Sequence, residues 1–120
     1  MVFNQQDWPD ELDALAAAPE NHRLLFENDS VRVLETGIAP GQATHLHTHR
    51  WPAALYIMSW SDFVRRDEQG KIVFDSRTIP AVAPGSARWS PPLMPHTLEN
   101  IGTSELRVIA VELKKDQTPR

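Results

Sequence analysis

The sequence predicts an all-β sandwich or barrel preceded by a short helix. Short apolar stretches recur along the chain, several of them alternating with polar residues, and turn-forming residues separate them. This pattern is typical of about nine or ten short strands. The ten prolines and five glycines suit turns better than long helices. The 120 residues correspond to one domain.

The predicted helix covers residues 10–18, which are rich in good helix formers. Pro9 stands at its start, acidic residues occupy its first turn, and Pro19 ends it. We therefore expect a short surface helix ahead of the main domain.

The extended segments follow from the period-two pattern and from the turns between them. Residues 1–27 are expected to form the helix and the first strand, residues 28–115 the barrel, and residues 116–120 a flexible tail. The segments predicted as extended are residues 23–27, 31–36, 44–49, 55–58, 63–65, 72–74, 78–82, 88–90, 96–99 and 106–113.

Composition narrows the classes of function. The chain has no cysteine, which excludes thiol chemistry. The net charge of −4 and the lack of a basic run argue against a nucleic-acid partner. No apolar stretch approaches the ~20 residues of a membrane helix, and the polar start does not resemble a secretory signal. The expected location is the cytoplasm, with no membrane partner.

The histidines are unevenly distributed. His45, His47 and His49 alternate, so on a strand their side chains point to one face. His96 follows a proline-rich stretch much later in the chain. Imidazole is a common ligand for divalent metals, so these residues indicate a metal site. His22 stands alone and is expected to face solvent.

Two spacing patterns surround these histidines. The first is G-x5-H-x-H, running from Gly41 to His49. The second is G-x5-P-x-L-x2-H-x3-N, running from Gly85 to Asn100, in which the asparagine is expected to occupy a turn. These spacings resemble the two conserved motifs of the cupin family, and the resemblance covers about residues 28–114.

The resemblance implies a small jelly-roll (cupin) barrel of antiparallel strands. It also implies that His47, His49 and His96 bind a divalent metal ion inside the barrel. Histidine nitrogens suit several first-row ions, so iron, manganese, nickel and zinc stay open. A homodimer is expected from the same resemblance and because open sheet edges need covering.

Two departures from the family pattern affect the site. Ala53 and Ala54 stand where the family usually has a glutamate ligand, and Leu93 replaces a glycine of the second motif. A site of three neutral histidines should leave the ion more electrophilic and more weakly bound. His45 is a further candidate ligand, although a rim residue hydrogen-bonded to water is the favoured alternative.

Aromatic residues near the motifs suggest an apolar pocket. Trp51, Tyr56 and Trp89 are the candidate pocket residues, although plain core packing is the commoner role for any one aromatic residue. Arg50 and Arg88 are the cations nearest the motifs. Either could hold a substrate carboxylate, whereas solvated surface positions are the commoner outcome for arginine.

The sequence therefore favours a three-histidine, metal-dependent enzyme, dioxygenase-like, acting on a small organic molecule. The alternative is a non-catalytic cupin module that binds a small ligand or a metal. The missing glutamate fits the alternative, and the sequence leaves open whether the chain is an enzyme. Neither the substrate nor the metal can be identified from the residues.

Overall fold

The computed structural model describes residues 8–114, and it contains nine antiparallel strands. The predicted tail, residues 116–120, lies outside the described residues. The strands are β1 (His22–Glu27), β2 (Val31–Ile38), β3 (His47–His49), β4 (Ala53–Ser59), β5 (Phe63–Arg66), β6 (Ile72–Asp75), β7 (Ala87–Ser90), β8 (Leu93–Asn100) and β9 (Leu106–Leu113). The all-β prediction is confirmed.

The strands form two sheets. The larger sheet has the order β1-β2-β9-β4-β7, and the smaller has the order β3-β8-β5-β6. On each strand, alternate side chains point between the sheets. Ile38, Phe63 and Leu106 form the apolar core cluster of this interior. The histidines of both motifs line the same interior space.

The N-terminal segment differs from the predicted helix. It consists of a 3-10 helix (Asp10–Leu12) followed by the single α-helical turn α1 (Ala14–Ala17). Asp13 interrupts the helix because its carboxylate caps α1 by accepting from the backbone N–H of Leu15. Ala14 is fully buried, and Asp13 bridges to Thr48 of β3. The segment is therefore packed against the histidine-bearing strand.

Two other predicted segments differ from the structure. Residues 78–82 do not form a strand: a 3-10 helix (Ser76–Thr78) follows β6, and irregular chain follows it. Pro80 and Pro84 lack the backbone N–H that a strand ladder needs. β3 begins only at His47, so the predicted extended run from Thr44 is shorter than expected.

The motif glycines have a backbone role. Gly41 has φ +80° and Gly85 has φ +87°, which are left-handed conformations that other residues rarely adopt. A Cβ at Gly41 would meet nothing within 4 Å, so backbone angle rather than space requires glycine there. Both turns lead into strands that carry site residues.

Asn100 is not a turn residue, because it ends β8 and is fully buried. Its amide donates to the carbonyls of Ile38 (2.8 Å) and Ser104 (2.9 Å). Its side-chain oxygen accepts from Ser61 Oγ (2.7 Å) and from the backbone N–H of Gly102 (3.0 Å). Asn100 thus joins three segments of the chain through its side chain.

No helix in the described part of the chain is long and apolar enough to span a membrane.

Candidate metal centre

Four histidines meet in the barrel interior, on the wall of one cavity. His22 starts β1, His47 and His49 lie on β3, and His96 lies on β8. His47 and His96 are direct cross-strand partners, so their side chains share a face. Three separate elements of the fold therefore bring these imidazoles together.

The imidazoles are within contact distance of one another. The ligand nitrogens of His22, His47 and His49 lie within 4.8 Å of one another. The His96 ring centroid is 4.4 Å from that of His47 and 5.9 Å from that of His49. The rings of His22 and His47 are 4.7 Å apart. This spacing suits several nitrogens around one ion.

Each of the four imidazoles has its Nδ1 bonded to an oxygen. The acceptors are the carbonyl oxygens of Ala18 for His22 (3.0 Å), of His45 for His47 (2.7 Å) and of Met94 for His96 (2.6 Å), and a carboxylate oxygen of Glu112 for His49 (3.0 Å). These oxygens accept only, so Nδ1 carries the proton in each ring. In the neutral form of each ring, Nε2 then carries the lone pair that metal ligation requires.

Burial keeps three of the rings, those of His22, His47 and His96, neutral at neutral pH. Burial, reinforced by neighbouring imidazoles, lowers the pKa of His22 to about 4, of His47 to about 3 and of His96 to about 2. Neutral imidazole is the form that binds metal. At neutral pH these three residues are thus ready to act as ligands.

The metal-free protein should lose stability as the pH falls from about 6.5 towards about 4. In this window the unfolded histidines bind protons and the buried ones do not, so protonation favours the unfolded state. Each affected histidine costs up to ~1.4 kcal/mol per pH unit. Urea unfolding of metal-free protein at pH 7 and pH 5 measures the loss, expected to be a few kcal/mol. Equal stability at the two pH values would contradict the burial of these rings.

One sequence-based expectation about the histidines, that for His22, is corrected. His22, expected to face solvent, has only 5% of its surface exposed and belongs to the cluster. His45, the further candidate ligand, has a side chain that is 71% exposed, and its Nδ1 lies 3.8 Å from Glu20. β3 begins only at His47, so the alternation that would align His45 with the other two does not extend to it.

A buried carboxylate compensates in part for the glutamate missing from the first motif. Glu112 of β9 is fully buried and is the cross-strand partner of Ala53. The carboxylate is therefore present on the neighbouring strand, where it accepts from His49 Nδ1 instead of offering an oxygen to the cluster. Sequence reasoning missed Glu112 because its role depends on strand register.

Glu112 is held by Arg32, which is also buried. Arg32 Nε donates to Glu112 (2.7 Å), and both terminal nitrogens of Arg32 donate to Asp13 (2.9 Å each). Burial alone would raise the pKa of Asp13, but the hydrogen bonds and charge of Arg32 lower it below its ordinary value. The network thus fixes the His49 ring from β2, β9 and the N-terminal segment at once.

A cavity of about 130 Å³ lies beside the cluster between the two sheets. The four histidines form part of its wall, and aliphatic and aromatic side chains of both sheets form most of the rest. An empty cavity of ~150 Å³ with apolar walls binds benzene. The space therefore suits a ligand body of about that size.

The three predicted pocket residues have different locations. Trp51 lines the cavity, and the Arg32 guanidinium lies 4.9 Å from its ring centroid. Tyr56 and Trp89 do not line it, and they are 48% and 59% exposed. Their prediction as pocket residues is therefore corrected. On β4 the side chains that line the cavity are those of Ala53, Leu55 and Ile57, so Tyr56 lies on the outer face. Trp89 pairs with outward-facing Ala54.

The residues present fit a divalent metal ion. The donor set is nitrogen only: the ligand atoms of His22, His47 and His49 lie close enough together to share one ion, and the His96 ring lies beside them. Hydrogen bonds at Nδ1 fix the orientation of all four rings. Imidazole suits zinc, iron, nickel and copper. The nearest carboxylate, Glu112, has both oxygens engaged by His49 and Arg32. The cluster could therefore hold an ion without neutralising its charge.

The fold and the cluster together define a cupin-type barrel with a histidine centre, and solved structures share this fold. A cupin domain from Bordetella pertussis Tohama I has a TM-score of 0.63 at 20% identity, over 78% of this chain and 92% of that one. An RmlC-like cupin with a double-stranded β-helix fold from Methanocaldococcus jannaschii has a TM-score of 0.54 at 14% identity, over 77% of each chain. The predicted cupin fold is confirmed.

An enzyme is among the similar structures. The polyketide cyclase RemF from Streptomyces resistomycificus has a TM-score of 0.53 at 20% identity, over 98% of this chain and 82% of that one. A scan against protein-family models finds no match. A search of the curated proteins finds no match either.

Proposed function

We propose that this protein is a metal-dependent enzyme acting on a small organic molecule, with His22, His47, His49 and His96 as the metal ligands. The observation that carries the proposal is the convergence of four imidazoles, each hydrogen-bonded through Nδ1 to an oxygen, on the wall of a partly open, mostly apolar cavity. Of the ions that the sequence left open, iron, nickel and zinc are the candidates, because imidazole ligands suit them better than manganese.

The bound ion would supply an electrophilic centre that polarises or activates a coordinated group. The chain's own residues would do the rest. Glu112 and the three backbone carbonyls hold the imidazoles in one tautomer and one orientation. The apolar walls exclude water and strengthen the electrostatic interactions inside. Nitrogen-only ligation leaves the charge of the site positive, which favours anionic substrates.

The size of the cavity restricts the substrate. A volume of about 130 Å³ holds a body of roughly benzene's size. The likeness to a polyketide cyclase supports catalysis in this fold, but only one end of a polyketide would enter this space. A dioxygenase-like reaction on a small molecule fits the dimensions better.

A turnover assay separates the enzyme from the alternative, a non-catalytic binding module. Protein loaded anaerobically with each candidate ion is offered small organic acids and thiols, and loss of compound and of oxygen is measured. We expect metal-dependent loss that disappears in His96→Ala and persists in His45→Ala, the matched exposed histidine. Stoichiometric metal and ligand binding without turnover by any loaded form would favour the binding module.

We also infer a homodimer that forms through the outer face of the larger sheet. One cross-strand row on that face is entirely apolar, and its two ends are largely exposed. The row is Phe26, Val33, Val111, Ala54 and Trp89. Exposed apolar patches of this kind mark interaction sites. Sedimentation should give a dimer that Val111→Glu dissociates, whereas a wild-type monomer at micromolar concentration would contradict the inference.

A further inference from the structure

Arg65, on the smaller sheet, lines the cavity. It lies on β5 between Leu98 of β8 and Phe74 of β6, and Leu98 also lines the cavity. The guanidinium carbon is 5.3 Å from the Phe74 ring centroid and 5.9 Å from that of Phe63. Arg65 also lines an outer groove, which shares His96 and Leu93 with the cavity.

This guanidinium has no counter-ion. Among residues 8–114, no hydrogen bond or ion pair reaches the side chain of Arg65, and its buried Nε has no partner. Burial lowers the pKa of Arg65, with no carboxylate present to raise it. By contrast, Arg32 and Arg66 each have carboxylate partners. Arg65 as a whole is only partly buried, but its buried Nε has no acceptor, and an unpaired buried donor beside a cavity points to a ligand.

A second unpaired donor lies on the same cavity. The indole Nε1 of Trp60 is buried without a hydrogen-bond partner, and Trp60 lines the space beside Phe63. Both unpaired groups are donors, and one carries a positive charge. A ligand that satisfied them would bring oxygen acceptors and a negative charge into a space that is otherwise mostly apolar.

We propose that Arg65 binds the carboxylate of a small organic acid whose apolar body occupies the cavity. This assignment names the substrate class of the proposed metal-dependent site and therefore rests on that function. The planar guanidinium matches a carboxylate in a two-point hydrogen bond, which an ammonium group would not reproduce. Arg50 pairs with the exposed carboxylate of Asp10, and neither Arg50 nor Arg88 lines the cavity, so neither takes this role.

Calorimetry with benzoate and its neutral counterpart benzamide tests the assignment, since both have a benzene-sized body. We expect benzoate to bind metal-free and zinc-loaded protein, with benzamide binding at least about 10-fold more weakly. Arg65→Gln should weaken benzoate about 10- to 100-fold. Arg66→Gln, one position along the same strand and paired with Glu99, is the matched control and should bind benzoate as the wild type does.

Stability and metal content of the same samples separate the possible failures. Arg65→Gln should unfold at the same or a higher temperature than the wild type, because it removes an unpaired charge. Two results would overturn the carboxylate site while leaving the metal function standing. In one, Arg65→Gln binds metal normally and binds benzoate as tightly as the wild type does. In the other, the wild type binds metal but does not bind benzoate at millimolar concentration. Arg65-dependent benzoate binding in a protein that takes up no metal would support the carboxylate site and overturn the proposed metal function.

Discussion

Replacing His22 with alanine should weaken metal binding by about 10- to 100-fold, and replacing His47 should weaken it at least as much. Both side chains are buried in the cluster, and both present a free Nε2 because their Nδ1 atoms donate to backbone carbonyls. His45→Ala should leave the affinity unchanged, because that side chain is largely exposed and outside the cluster.

The His22 result distinguishes two ligand sets. A site built on His47, His49 and His96 alone predicts wild-type affinity for His22→Ala. Competition with a chromophoric chelator at neutral pH measures the affinity of all four proteins, and unfolding curves confirm that each variant is folded. An unchanged affinity in His22→Ala would remove that residue from the site and restore the three-histidine set.

Replacing Glu112 with alanine should destabilise the metal-free protein by about 3–5 kcal/mol, the usual cost of breaking a buried ion pair from one side. Glu112 is fully buried, and its removal leaves the Nε of Arg32 and the Nδ1 of His49 without acceptors. Asp13 stays bonded to Arg32 and limits the loss. Urea unfolding measures the change, which corresponds to a fall in melting temperature of about 10 °C or more.

Two further variants sharpen the Glu112 prediction. Glu112→Gln retains the shape and one acceptor oxygen, so its loss of stability should be smaller than that of the alanine variant. Glu105→Gln is the surface control, because the Glu105 side chain is 47% exposed and pairs with Arg107. This variant should change the free energy of unfolding by less than about 0.5 kcal/mol. A Glu112→Ala protein as stable as the surface control would show that the buried network does not stabilise the barrel.

Much of the fold could be predicted from local sequence. Alternation and turn residues located the strands, because one face of each strand must be buried and turns need glycine or proline. The predicted bounds of the helix and the predicted strand at residues 78–82 were wrong for reasons that depend on specific contacts. Asp13 caps a new turn within the helical segment, and the backbone after β6 follows a 3-10 turn. Such details depend on tertiary packing rather than on propensity.

The candidate site could be predicted only in part. Motif spacing identified His47, His49 and His96, whereas His22 has no spacing signal because it lies on a strand outside both motifs. Glu112 depends on cross-strand register, which sequence alone does not provide. Tyr56 could have been excluded: the motif position at residue 53 faces inward, so residue 56, three positions later, faces outward.

A crystal structure of the metal-loaded protein, with data collected at the absorption edge of the ion, tests the central claim most directly. We expect one ion per chain, bound to the Nε2 atoms of His22, His47, His49 and His96, with Glu112 still accepting from His49. An ion held by three of these imidazoles with His22 turned away would contradict the four-histidine centre. A loaded crystal with no ion at the cluster would contradict the proposed function itself.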